Sequence, residues 1–159
     1  MYISAIGQDS HRFEKEGSFK KLLLGGIEIP DCIGLEGNSD ADVVLHAITN
    51  AISGLSSINI LGKISDDLCL KEGIKDSRVY LQKALETLSE YKLTHVSVSI
   101  EACRPRLSGH IPAMKKSIAG LLSLEEKHVG ITATSGEGLT AFGKGDGIQV
   151  LVIASAVAG

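Results

Sequence analysis

The stretch from Ser39 to Leu55 constrains this chain more than any other, because its apolar residues recur at helical spacing along its whole length. At about 100° per residue, Ala41, Val44, Leu45, Ile48, Ala51, Ile52 and Leu55 fall on one face. Asp42, His46, Thr49, Asn50 and Ser53 fall on the opposite face. Ser39 with Asp42 three positions on reads as an S-x-x-D capping box, so the spacing predicts a helix over 39–55. His46 then lies outside the stripe that enters the core.

The remaining elements arrange themselves around that helix. Tyr2 to Gly7 is short and apolar and suits a first strand, and Lys21 to Ile29 reads as two short strands about Gly25-Gly26. A second helix is predicted over Ser77–Tyr91, with Leu81, Ala84, Leu85 and Leu88 as its buried stripe. Thr94–Ala102 alternates as a strand. Pro112 opens a helix carrying Met114, Ile118, Leu121 and Leu122, and Val129–Thr134 and Ile148–Val157 read as closing strands. Strands interleaved with helices, starting in a hairpin and ending in neighbouring strands, predict an α+β fold: a mixed β-sheet with helices packed on one face. The other face then needs cover, and the apolar last strand predicts that a partner subunit supplies it. No repeat or linker interrupts the 159 residues, so one domain over 1–159 is expected.

Composition removes several function classes. A net charge of -3 leaves no basic footprint for nucleic acid or an anionic membrane, and 4% aromatic residues with no Trp leave little to stack on bases. No apolar run reaches the length of a membrane span, and Met1 to Gln8 lacks the pattern of a signal peptide. Three separated cysteines, Cys32, Cys69 and Cys103, form no C-x-x-C pair, which predicts a reducing, cytoplasmic setting.

Two segments can carry chemistry. Asp9 and His11 are two apart at the end of a strand, so both side chains share one face, roughly 6–7 Å apart at Cα. His46 from the helix can complete a three-ligand divalent metal site, most naturally zinc, with a fourth position left for substrate. A D-x-H pair is also an ordinary turn sequence and a helical imidazole is often a surface one, so spacing alone leaves both readings open. Thr132 to Gly147 is rich in small residues, hydroxyls and glycines, which lets backbone N–H groups approach phosphate, with Lys144 to neutralise charge and Glu137 as a hard oxygen ligand. A flexible, solvated glycine loop is the alternative there. Gly136-x-Gly138-x-x-Ala141 formally matches a dinucleotide fingerprint, but Gly143, Gly145 and Gly147 break the helix that the motif must open. Arg104-Pro105-Arg106 reads as a strand-to-helix loop that can grip phosphate through Arg106, or as a solvated connection. Asp66-Asp67 reads as a solvated acidic turn.

IGQDSHRF, GLEGNSDADVVLHAITNAI, ILGKI, ACRPRLSGHIPAM and TATSGEGL followed by GKGDGI, in this order, resemble the 2-C-methyl-D-erythritol 2,4-cyclodiphosphate synthase family from Ile6 to Val157. The resemblance implies a homotrimer with active sites at subunit interfaces and a central cavity that can hold an isoprenoid diphosphate. It implies a CDP-linked substrate, 4-diphosphocytidyl-2-C-methyl-D-erythritol 2-phosphate, whose 2-phosphate attacks the β-phosphorus and expels CMP. No enzyme nucleophile is needed, so catalysis rests on positioning and charge neutralisation. Asp9, His11 and His46 match the family's zinc ligands, and Glu137 matches the ligand of a second ion, magnesium or manganese. Ala102, Pro105, Arg106, Leu107, Thr134 and Ser135 match the stretches that hold CMP, Gly62 and Lys63 the ribose region, and Lys144 a cationic position at the cavity mouth. Ser39 and Asp67 match substrate-binding positions, and Asn38 and Ser135 stand where the resemblance places catalytic groups. Asn38 replaces the family's histidine and Ile60 a carboxylate expected at the ribose. Ser65–Cys69 replaces the family's F-P-D-T-D loop and keeps only Asp67 in register. These departures predict an active member with weakened ribose binding. A metal phosphohydrolase using water as nucleophile, or a non-catalytic trimer binding an isoprenoid diphosphate, are the competing readings.

Overall fold

In the computed structural model, which describes every residue from Met1 to Gly159, the chain runs β1 (Tyr2–Arg12), β2 (Lys21–Leu24), β3 (Ile27–Ile33), α1 (Val43–Ser56), α2 (Lys63–Glu72), α3 (Ser77–Glu86), β4 (Tyr91–Ala102), α4 (Ile111–Leu122), β5 (Val129–Thr134) and β6 (Gly147–Ala158). Four strands make one sheet in the order β1-β6-β4-β5, and β2-β3 is a separate hairpin. β6 is antiparallel to both β1 and β4, and β4 is parallel to β5. The sheet is therefore mixed and the fold α+β.

The alternation of each strand decides which face is covered. Gly7, Val96, Val98, Ile100, Val129, Ile148, Val150, Val152 and Ala154 are buried and point to the helices. α1 lies against β1 and β6, α4 packs near β5, and α3 packs on α1. Gly7 makes the closest of these approaches possible. A Cβ there would fall inside the van der Waals radii of the Ala47 carbonyl oxygen and the Ala51 nitrogen. Gly54 repeats the device, because a Cβ there would sit 2.9 Å from the Ala5 Cβ. The two glycines let α1 settle directly on β1. The opposite sheet face is open and carries Tyr2, Ile6 (67% exposed), Leu151 and Ile153 (52% exposed).

Several boundaries differ from the sequence expectations. α1 begins four residues late, at Val43, and its cap is Asp42, whose side chain accepts from the Leu45 N–H. Ser39 instead accepts from the Ala41 N–H in a local turn, and Ala41 takes a positive φ of 54° that no helix tolerates. The polar face of α1 is not solvated: Asp42, His46, Thr49 and Ser53 are all buried, because α3 and the hairpin cover that side. Asp42 ties these parts together, since its two oxygens also accept from the Gly25 and Gly26 N–H groups at the hairpin turn.

Residues 65–69 are helical, not a turn. α2 is held by Lys63–Asp67 and Lys71–Asp67 pairs one turn apart and closed by Gly73 in the left-handed region. α3 stops at Glu86, and Tyr91 already belongs to β4, which starts three residues earlier than its alternation suggested. β1 continues to Arg12, so Asp9 and His11 lie within the strand and not past its end.

Candidate metal centre and nucleotide cavity

Strand alternation sets the first two ligands. Asp9 and His11 share the helix-facing side of β1 with Gly7, and the close seat of α1 on Gly7 brings His46, one residue before Ala47, over them. Asp9 Oδ2 lies 2.9 Å from His11 Nε2 and 3.2 Å from His46 Nδ1, and the two ring nitrogens are 3.3 Å apart. These three side chains are the one group of three or more potential ligands whose donor atoms converge, all within 4.8 Å.

The surroundings show that the site suits a cation. His11 Nδ1 is 2.6 Å from the Glu36 carbonyl oxygen, which can only accept, so Nδ1 carries the proton and Nε2 presents its lone pair to the centre. Burial raises the Asp9 carboxyl, but the hydrogen bonds and charges of His11 and His46 outweigh it and bring it down to about 2. Burial likewise lowers His11, and the hydrogen bond and charge of Asp9 overcome that and leave it raised. The centre thus suits a positive charge against Asp9, either a proton on His11 Nε2 or a divalent metal on its lone pair. An imidazole–imidazole–carboxylate donor set fits zinc and leaves one tetrahedral position free.

A cavity of about 300 Å³ opens onto the triad, lined also by Asn38, Ser39, Leu61, Asp66, Cys69 and Tyr80. Asn38 and Ser39 therefore sit beside the triad. Tyr80 and Cys69 were not foreseen, because they come from helices whose approach no local pattern reports. Ile60 is buried in the apolar core at 4% exposure. Gly62 caps α2 at the surface, and Asp67 is tied to Lys63 and Lys71 and lines neither this cavity nor the next.

A second cavity, of about 470 Å³, lies where β4 and β5 end. Ala102, Pro105, Arg106, Leu107, Thr134 and Ser135 all line it, joined by Cys103, Ser108, Ile111 and Ala133. The six residues that the sequence grouped thus meet in one place. Register fixes its position relative to the triad: Ile148 of β6 faces His11 on one side and Ala102 on the other. β1 and β4 run the same way, so both features occupy one end of the sheet, two strand spacings or roughly 10 Å apart. Glu137 is exposed on a 3-10 turn over Gly136–Gly138, with φ of 51°, and its N–H donates to Ser135 Oγ. Lys144 is exposed in the turn before β6. Neither joins the triad.

The YgbB family model matches residues 2–157. A Chlamydia caviae protein named 2-C-methyl-D-erythritol 2,4-cyclodiphosphate synthase is 46% identical over 154 residues, 96% of this chain and 88% of its own length. The structure of the bifunctional IspDF from Campylobacter jejuni superposes with a TM-score of 0.90 at 28% identity over 100% of this chain, which spans 43% of that longer protein. A 2C-methyl-D-erythritol-2,4-cyclodiphosphate synthase structure in a CDP-bound form superposes with a TM-score of 0.83 at 25% identity, covering 98% of this chain and 100% of that one.

Proposed function

The chain belongs to the YgbB family, and from that premise we propose that it converts 4-diphosphocytidyl-2-C-methyl-D-erythritol 2-phosphate to the 2,4-cyclodiphosphate with release of CMP. The observation that carries this is the pairing of a three-ligand metal centre with a separate nucleotide-sized cavity at one end of the sheet. A CDP-linked substrate has those two ends, a pyrimidine nucleotide and a reacting diphosphate. An oxygen of the 2-phosphate forms a bond to the β-phosphorus, the bond from the β-phosphorus to the bridging oxygen breaks, and that oxygen leaves on CMP. No covalent enzyme intermediate is required, so the chain has to hold the two phosphates in line and neutralise their charge.

Asp9, His11 and His46 would hold zinc, which supplies Lewis-acid polarisation of a phosphate oxygen when bound. Asn38 and Ser39, at the same cavity, donate hydrogen bonds to phosphate, and Asn38 does so without charge. Ala102, Pro105, Leu107 and Thr134 enclose the cytidine, with Arg106 and Ser135 for its phosphate. Glu137 is the ligand for a magnesium or manganese ion bound with the diphosphate, and Gly62, Asp67 and Lys144 remain substrate-binding positions by resemblance. Support for the nucleotide end comes from the CDP-bound relative. The chain acts as one domain over 1–159 and as a homotrimer whose open sheet faces, with Ile6, Leu151 and Ile153, cover one another. Lys144 stands near the mouth of the resulting central cavity, where an isoprenoid diphosphate can bind. No helix is long and apolar enough to cross a membrane, which accords with a cytoplasmic enzyme.

The test is incubation of the purified protein with the diphosphocytidyl substrate, zinc and magnesium, followed by phosphorus NMR. CMP and a cyclic diphosphate in equal amounts are expected, and the His46→Ala variant binds zinc far more weakly and loses turnover with it. CMP accompanied by a linear phosphate would instead assign water as the nucleophile and overturn the cyclisation.

A further inference from the structure

His46 has a second side that the metal does not use. Its Nδ1 faces Asp9 and His11, while its Nε2 lies 2.8 Å from Ser77 Oγ, at the first turn of α3. Ser39 Oγ is also near, at a longer 3.5 Å, and already accepts from the Ala41 N–H. Ser77 is fully buried, and its hydroxyl is hydrogen-bonded to Asp40 Oδ1. That carboxylate is itself fixed by two backbone donors, the Asp42 N–H on Oδ1 and the Ser77 N–H on Oδ2. Tyr80, one turn along α3 from Ser77, packs its ring against His46 at 6.2 Å between centroids.

The direction of this chain of hydrogen bonds follows from what each group can do. A carboxylate only accepts, so the single hydroxyl proton of Ser77 goes to Asp40. Ser77 Oγ then has only lone pairs to offer His46, which places the imidazole proton on Nε2 and leaves Nδ1 bare toward the centre. We infer that Ser77 and Asp40 are positioning residues that hold His46 in the tautomer and orientation a metal requires, so that α3, which contributes no ligand, sets the affinity of the site. The inference rests on the metal reading of Asp9, His11 and His46. It is the helix-borne counterpart of the Glu36 carbonyl that fixes His11.

Zinc affinity, measured by competition with a chromophoric chelator, tests it without recourse to turnover. Ser77→Ala weakens zinc binding about 10- to 100-fold, the usual consequence of removing a partner behind a ligating imidazole. Asp40→Asn, nearly the same shape, weakens it too, because an amide can donate to Ser77 Oγ and turn the serine proton toward Nε2. In a His46→Ala background Ser77→Ala changes zinc affinity no further, which separates a role through His46 from a general loosening of the fold. Ser77→Ala binding zinc within about two-fold of the parent, or losing the same factor without His46, would overturn the relay. Should Ser77→Ala fail to fold, Asp40→Asn carries the same expectation and the same failure. A parent protein that binds no zinc would sink the metal reading itself, a result distinct from either.

Discussion

The carboxyl of Asp9 and the imidazole of His11 are each pulled two ways, by burial and by one another, and in both the partner prevails. The pH consequences have opposite signs. Asp9, held at about 2, contributes stability that is present above its unfolded value of about 3.8 and lost as pH falls through 2. His11, raised, contributes stability that is full below about 6.5 and lost as pH rises through its folded value. The metal-free protein therefore gains most from this pair between about pH 4 and about pH 6.5. Zinc bound by the triad would have to displace the His11 proton, so the rise in melting temperature on adding zinc is expected to be larger near pH ~8 than near pH ~5. Equal zinc-induced rises at both values, each measured against a chelator control, would contradict a site shared by proton and metal. At this scale the sequence was informative for Asp9 and His11, because strand alternation alone puts them on one face. It was silent on Ser77 and Asp40, whose relation to His46 exists only once α3 has docked.

Element boundaries show where local patterns mislead. Ser39 looked like a cap because the residue type and the spacing to Asp42 are right. Its hydroxyl serves a turn instead, and Asp42 does the capping. The burial of His46, Thr49 and Ser53 was hidden for a related reason: one helix's amphipathicity reports its first neighbour and not a second layer. α2 escaped notice because half of its residues are charged and its support comes from ion pairs on an exposed surface. Two predictions belong here. Asp42→Ala removes a cap and leaves the Gly25 and Gly26 N–H groups without their acceptor, so it costs about 2–4 kcal/mol in denaturant unfolding. Gly7→Ala drives β1 away from Ala47 and Ala51, costing at least about 2–3 kcal/mol, and it shifts Asp9 relative to His46. Its zinc affinity falls as well, whereas Gly17→Ala, with nothing near its Cβ, leaves zinc affinity unchanged. A Gly7→Ala protein of parental stability and affinity would refute the close-approach account.

For the whole molecule, the sheet's uncovered side is the feature with the largest reach. Ile153→Lys or Ile6→Lys puts a charge in the middle of the face assigned to subunit contact. Sedimentation should then find the 16.7 kDa monomer in place of a threefold larger species, with turnover lost and the far-UV spectrum retained. A parent protein that sediments as a monomer would remove the trimer from the proposal. The α+β class and the bare face were readable from the order of elements, since β-strands with one helical layer must leave a side unfilled; the order of elements does not say what covers that side. The strand order carries a separate consequence, for how the molecule is made. β1 and β4 bond to β6 and not to each other, so the sheet's middle is formed by residues 147–158. Those residues leave the ribosome after every other strand, and until they do, two hydrogen-bonding edges wait unpaired. The sheet can therefore close only once β6 has been made, and a nascent chain stalled before Gly147 is the form that invites chaperones and aggregation.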